Sequence, residues 1–359
     1  MTTYILVGIL IVFVGMFSYQ ENRTKSGLGF IFVVLTLLMG LRGEMSEDHP
    51  EYNEFFLRVQ SIEFGDVLTG EFTMENGFAV FCKLISYITS SPVLFMLIVA
   101  VIIVGLYSIC YNKSAKIPWL AMVMFFAIGD YFDSFNIVRN ILAASICFFA
   151  ITYFASGKKK NFIVYLALVL LASTIHAASI FMIPMYFVIK IKYTKKTLFA
   201  YSIIGVLLFV FLPRLIELFM RWFPKYAKYE NADITVSNIN AVIPTLGVFL
   251  FVIACVFMFK VDLDLENDEN RVALHGLTLT LIFIIASTQA GLSYRFAHFF
   301  KPFVAIAAVN TVSSFKDRKN KELFIWLVSF VAIVAVWVFY RESPYNPYYL
   351  HSDIMELLR

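Results

Sequence analysis

The residues of this sequence best suited to chemistry are charged groups placed where apolar stretches end. Arg42, Arg139 and Arg295 each adjoin a long apolar run. A guanidinium there offers a fixed fork of donors that matches phosphate oxygens. His176 stands at a turn between two apolar runs, and an imidazole titrates close enough to neutral pH to act as a general base. Asp48 is a second proton acceptor by type. Each also has a plainer reading. A span-end arginine reaches to the interface with its charged head, and a buried histidine satisfies itself on a backbone carbonyl. Asp48 lies two residues before Pro50, where a carboxylate caps the helix that Pro50 and Glu51 begin. Asp130 and Asp133 either pair with Arg139 or face a substrate.

The elements that must hold these groups are membrane helices. Of 359 residues, 60% are apolar and 15% charged, whereas soluble domains carry about 25% charge. Mean hydropathy is +0.79. A bilayer absorbs such a composition, with roughly 20 apolar residues per spanning helix. Twelve apolar stretches can be marked, at 3–18, 27–42, 92–110, 117–132, 138–156, 161–175, 177–190, 197–213, 243–259, 273–290, 297–315 and 323–340. The first has no basic region before it and no cleavage-type residues after it, so it reads as a retained span. The expected fold is all-α: a polytopic bundle of about twelve transmembrane helices, forming one integral membrane domain over 1–359 with larger outer loops at 43–91 and 214–242.

Loop charge sets the orientation. With the N-terminus outside, the inner loops hold 17 of the 29 Lys and Arg residues, although the outer loops are much longer. Lys158-Lys159-Lys160, Lys190 to Lys196 and Lys316 to Lys321 all fall on the inner side, which is the positive-inside pattern. The acidic loop 260–272 is the weak point, but acidic residues count little in this rule. Both termini are therefore expected outside, and the four candidate cations and Asp48 fall at one membrane level. Nine acidic residues lie in 43–91 alone. Within it, Tyr52, Phe55, Phe56, Val59 and Ile62 recur at helical spacing, as in a short amphipathic helix lying at the outer interface. Loop 214–242 mixes Arg214, Arg221, Lys225 and Lys228 with Trp222, Phe223, Tyr226 and Tyr229. It suits either interfacial anchoring or contact with sugar rings and lipid phosphates.

Other chemistries are missing from the sequence. There is no phosphate-binding P-loop, no HExxH and no GxSxG elbow. Cys82, Cys110, Cys147 and Cys255 form no CxxC pair and read as packing residues rather than a disulfide or zinc framework. No His and carboxylate spacing suggests a metal site, no cofactor is expected, and nucleic acid is no partner for an outward loop.

The ordered blocks resemble the EpsG family, membrane proteins of bacterial exopolysaccharide and capsule synthesis related to Wzy-type and O-antigen polymerases. Arg42-Gly43, Asp48 and Tyr52-Asn53-Glu54-Phe55 resemble its first block. Asn136-Ile137-Val138-Arg139 resembles its Asn-x-x-Arg block, Ala172 to Ser179 its histidine block, and Tyr294-Arg295-Phe296-Ala297-His298-Phe299 its Tyr-Arg-x-x-x-Phe block. Two departures touch substrate detail: Ser46-Glu47 stands where the family often has Gly-Thr, and Asn140 where it usually has Gln.

The resemblance implies a metal-independent, inverting glycosyltransferase of the bacterial cytoplasmic membrane. It would polymerise undecaprenyl-diphosphate-linked repeat units on the extracytoplasmic face. Its partners would be lipid-linked donor and acceptor, membrane lipid, a flippase and a chain-length regulator. Arg42, Arg139 and Arg295, with Tyr52, Asp133 and Tyr294, would contact substrate, and His176 or Asp48 would take the acceptor proton. Three rivals stand beside this: a flippase for the same lipids, a membrane acyltransferase modifying sugars, and a non-catalytic scaffold. A flippase would need charges deep in the spans with access from both sides. An acyltransferase would place its histidine further inward.

Overall fold

Lipid offers no partner to a free backbone amide, so apolar runs of this length are stable in a membrane only as helices. The computed structural model describes residues 1–128, 130–156, 161–222, 239–352 and 354, and no β-strand occurs among them. In chain order the helices are α1 Thr2–Gln20, α2 Thr24–Gly40, α3 His49–Gln60, α4 Phe64–Thr69, α5 Asn76–Ser86, α6 Pro92–Ser114, α7 Pro118–Ile128, α8 Asp130–Asp133 and α9 Val138–Ala150, which runs on into a π-helical turn, Ile151–Ala155. They continue as α10 Phe162–Ile175, a 3-10 segment Ala177–Met182, α11 Met185–Val188, α12 Lys195–Trp222, α13 Ile239–Met258, α14 Asp268–Ala286, α15 Leu292–Ala297, α16 Pro302–Ser313 and α17 Arg318–Tyr340. Among the described residues six helices are long and apolar enough to cross a membrane, joined by several shorter apolar ones. The protein is thus a polytopic helical membrane bundle.

Two polar ends are fixed by hydrogen bonds between distant segments. At one, Asn310 accepts from the Lys116 backbone N–H at 2.8 Å and donates to Asn270 at 2.8 Å. At the other, the segment after α17 folds back over the end of α2. The Gly43 N–H donates to the Tyr349 carbonyl (2.9 Å) and the His351 N–H to that of Leu41 (3.0 Å). An isolated bridge links Arg42 to Leu350. The N-terminal amino group pairs with Asn346, and the Tyr4 hydroxyl donates to the Tyr345 carbonyl at 2.6 Å. Met1 and the 341–351 segment therefore share the Arg42 end.

Two expectations are corrected. The first large loop holds three helices rather than one. The apolar stripe of α3 buries Tyr52, Phe55, Phe56 and Val59 against protein, not lipid: Phe56 stacks on Phe95 of α6 at 4.5 Å, and Phe55 on Phe78 of α5 at 5.8 Å. Second, the helix starting at Lys195 does not stop near residue 213. It passes through Pro213 to Trp222: a proline removes one backbone donor, and the Arg, Leu, Glu and Met residues that follow it are good helix formers. Arg214 and Arg221 are helical residues, not loop residues. Residues 223–238, with Phe223, Lys225, Tyr226, Lys228 and Tyr229, lie outside the described residues, as does the Lys158–Lys160 turn. All four cysteines are free and buried, as packing residues should be.

The start of α5 is pressed against the end of α10 at Gly77. A Cβ there would run into the side chain and carbonyl oxygen of Thr174. Gly77→Val is expected to lower stability by about 1–3 kcal/mol, the usual cost of overpacking. Thr174→Ala should relieve only part of it, because the carbonyl remains. Detergent melting curves on the single and double variants check this, and an unchanged midpoint for Gly77→Val would contradict the close approach.

Candidate functional site

The Asn-x-x-Arg block is a stitching element. The Asp48 backbone N–H donates to the Asn136 side-chain oxygen at 3.1 Å, so the residue ahead of α9 holds the residue ahead of α3. Asn140, one helical turn further, donates to the Arg295 carbonyl at 3.2 Å. Arg139 lies between them in the first turn of α9. Residues from three distant parts of the chain are thereby drawn around one guanidinium.

Arg139 is met by Glu75, the residue preceding α5, in a direct ion pair. The other carboxylate oxygen of Glu75 accepts from the Ala177 N–H at 3.1 Å and lies 3.6 Å from His176 Nδ1. One carboxylate thus spans α9 and the break between α10 and the 3-10 segment. None of the three groups is sealed off: the side chains of Arg139, Glu75 and His176 are 19%, 27% and 11% exposed. Neither ring nitrogen of His176 has a hydrogen-bond partner among the described residues. Leaving a buried polar atom unpaired costs about 1–3 kcal/mol, which a hydroxyl-bearing ligand would recover.

The remaining predicted residues border this pair. Tyr52 on α3 neighbours both Arg139 and Asp48. Burial pushes the Asp48 carboxyl above its ordinary range and Glu51 adds to this, while Arg295 and Arg139 pull the other way. Burial pushes the His176 imidazole down to about 4; Glu75 opposes that, whereas Arg139, Arg295 and His298 reinforce it. Asp48, Arg139, His176 and Arg295 therefore share one electrostatic neighbourhood. Asp48 occupies the N-cap position of α3, but its side chain makes no capping hydrogen bond, so its local role as a cap is not the one expected.

Asp130 and Asp133 do not pair with Arg139. Their partners come from the Tyr294–Lys301 stretch. His298 Nδ1 bonds Asp130 at 2.8 Å, and Tyr107 of α6 donates to the same carboxylate at 3.1 Å. Lys301 Nζ donates to Asp133 at 2.9 Å and to the Tyr294 hydroxyl at 3.2 Å, and Tyr294 donates to Asp133 at 2.8 Å. Burial alone would raise the Asp133 carboxyl, but Lys301 and His298 pull it below the usual range. The physical reason for the correction is supply: a buried carboxylate takes the nearest buried cation, and Lys301 is nearer. Asp130, Asp133 and His298 bring three donor atoms within 4.8 Å of one another, close enough for a metal ion. Lys301 Nζ, 3.5 Å from Asp130 as well, already supplies the positive charge between the two carboxylates, so the donor set does not fit a divalent ion well.

Arg42 is engaged elsewhere. It is 1% exposed, donates to the carbonyls of Met39 and Phe135, and lies 4.7 Å above the Phe135 ring. These contacts lock the end of α2 to the turn before α9.

Three residues of this region escaped the sequence reading. Glu75 is one acid among nine in its loop and carried no distinguishing signal. His298 and Lys301 did carry one: they are charged groups at a span start, three and six residues after Arg295.

A family model, the EpsG family, matches residues 27–350. The chain belongs to that family, a group of membrane proteins resembling exopolysaccharide polymerases of the Wzy type. No curated protein and no solved structure matches it.

Two buried imidazoles give the protein an acid limit. Burial, with Arg42 and His351 nearby, pushes His49 down to about 3, and His176 is pushed to about 4. An unfolded imidazole takes up its proton near 6.5. Stability is then complete above about pH 6.5 and falls as pH drops toward 4, by roughly 3 kcal/mol through His176. The detergent melting midpoint should decrease across that window in the wild type and decrease less in His176→Gln. Equal slopes in the two would contradict a neutral, buried His176.

Proposed function

We propose that the protein polymerises lipid-linked oligosaccharide repeat units, joining them at the end of the bundle that carries Arg139 and Arg295. The observation that supports this most is the gathering of two arginines, a tyrosine, two carboxylates and an unsatisfied imidazole around one partly exposed site. A lipid diphosphate that leaves an anomeric carbon carries away the bonding electron pair. Guanidinium groups aimed at its oxygens stabilise that developing charge. The acceptor hydroxyl gives its proton to a base as it bonds to the anomeric carbon.

In this reading Arg139 and Arg295 hold the diphosphate of the donor. Tyr52 orients sugar or phosphate beside them. His176, kept neutral by burial, receives the hydroxyl proton, with Asp48 the second candidate. The anomeric carbon–oxygen bond to the diphosphate breaks as the new glycosidic bond forms on the opposite face, so configuration inverts. Each link releases one lipid diphosphate, and the charge stabilisation needs no metal. Asp133 and Tyr294 act from behind, fixing the backbone that carries Arg295, rather than touching substrate.

The proposal extends to placement. The chain crosses a bacterial cytoplasmic membrane twelve times, with both termini and the site on the extracytoplasmic face, where a flippase delivers substrate and a chain-length regulator acts. Substrates tethered by long lipid tails suit a site at the ends of the helices rather than at their middle. Arg139, His176 and Arg295 stand where helices begin or end, which favours polymerisation over flipping.

Arg139→Ala and Arg295→Ala, each shown to be inserted at normal levels, are expected to reduce polymer by roughly 100- to 1,000-fold, as for loss of one stabiliser of transition-state charge. Gel analysis of polysaccharide from cells carrying each variant checks this. Full-length polymer at wild-type levels from both would remove the diphosphate assignment.

A further inference from the structure

Among the described residues, Glu75 is the carboxylate that touches both halves of the proposed chemistry. It pairs with Arg139 through one oxygen, and through the other it accepts from the Ala177 N–H and lies 3.6 Å from His176 Nδ1. A carboxylate on a guanidinium occupies the same donor fork that a phosphate would use. The distance to His176 is just beyond a hydrogen bond, and no other partner among the described residues meets either ring nitrogen. The site therefore contains a substrate-mimicking anion and, beside it, an imidazole that is not yet oriented.

We infer that Glu75 is a placeholder and a switch: it holds Arg139 until a lipid diphosphate takes its place, and then turns to His176 and makes it the base. This rests on the polymerase reading for the identity of the reaction. Diphosphate carries more negative charge than one carboxylate and spreads it over more oxygens, so it competes well for the arginines. Release costs Glu75 one partner, and the nearest replacement is His176 Nδ1–H. A carboxylate on Nδ1 fixes the tautomer that leaves Nε2 free, and it stabilises the imidazolium formed when Nε2 takes a proton. The acceptor hydroxyl loses its proton to Nε2, its oxygen bonds to the anomeric carbon, and the diphosphate departs with the electron pair. Water then takes the proton from the imidazolium, and Glu75 returns to Arg139 as the diphosphate leaves. The base is thus strengthened only while donor is bound.

Glu75 is a positioning residue in this scheme, and its removal should move binding and turnover in opposite directions. Purified wild type and Glu75→Gln would be compared for binding of undecaprenyl diphosphate and for the rate at which they extend lipid-linked repeat units. The variant is expected to bind the lipid diphosphate roughly tenfold tighter, because the competing anion is gone. It should extend units roughly 10- to 100-fold more slowly, because the base is no longer oriented. Unchanged or weaker binding overturns the placeholder, and an unchanged or faster rate overturns the switch. Glu75→Asp keeps the charge and shortens its reach; both readouts should shift the same way by less, and wild-type values for both overturn the inference even if Glu75→Gln does not fold. If the wild type binds the lipid diphosphate yet extends nothing, the polymerase reading fails, while the binding comparison still decides whether Glu75 is a placeholder.

Discussion

The ion pair between Arg139 and Glu75 joins the first turn of α9 to the residue ahead of α5, and this end of the bundle is arranged around the need of that guanidinium for an anion, Glu75 or a ligand in its place. A guanidinium drawn partly out of water is stabilised by a counter-charge, because losing its water without compensation costs several kcal/mol. Glu75 supplies it, and in doing so it brings the loop helices over the spans. The same carboxylate reaches the backbone of Ala177, so α10 and the 3-10 segment are held in the same place. Gly77 permits the approach by presenting no side chain to Thr174. The pair thus organises three parts of the chain around one partly open site.

Behind it a second set of charges obeys the same constraint with less access to water. Asp130 and Asp133 find His298, Lys301 and Tyr294, and the result anchors the stretch that carries Arg295. Here every carboxylate has a fixed cation or donor, as a rigid support requires. In the front layer one carboxylate is shared among three groups and an imidazole stays unsatisfied. The two layers differ in access to water: Asp130, His298 and Lys301 behind are almost fully buried, whereas Arg139, Glu75 and His176 keep part of their surface open to a ligand.

Much of the fold was legible because lipid imposes a simple pattern. Each apolar stretch marked in the sequence overlaps helix among the described residues, although six helices rather than twelve are long and apolar enough to cross a membrane, and the tyrosine and phenylalanine spacing of 52–59 matches α3. The stretch marked to residue 213 ends where charge returns at Arg214, Glu217 and Arg221, whereas the helix continues to Trp222. The site was legible in part. Arg139, His176 and Arg295 announced themselves as charges at span ends, and the Asn136 and Asn140 positions around Arg139 turned out to tie it to Asp48 and Arg295. Glu75 was hidden, since nothing local distinguishes it from the other acids of its loop; only tertiary contact selects it. Arg42 shows the converse. It had the same sequence signal as Arg139, yet in the structure its terminal nitrogens donate to backbone carbonyls.

The central claim is that this EpsG-family protein links lipid-borne units at the Arg139 end. The most direct measurement incubates the purified wild-type protein with undecaprenyl-diphosphate-linked repeat units alone, adding no nucleotide, and sizes the products. The account predicts a ladder of lipid-linked glycans lengthening by whole repeat units, with one lipid diphosphate released per link. A single unextended species, with no lipid diphosphate released, would contradict it.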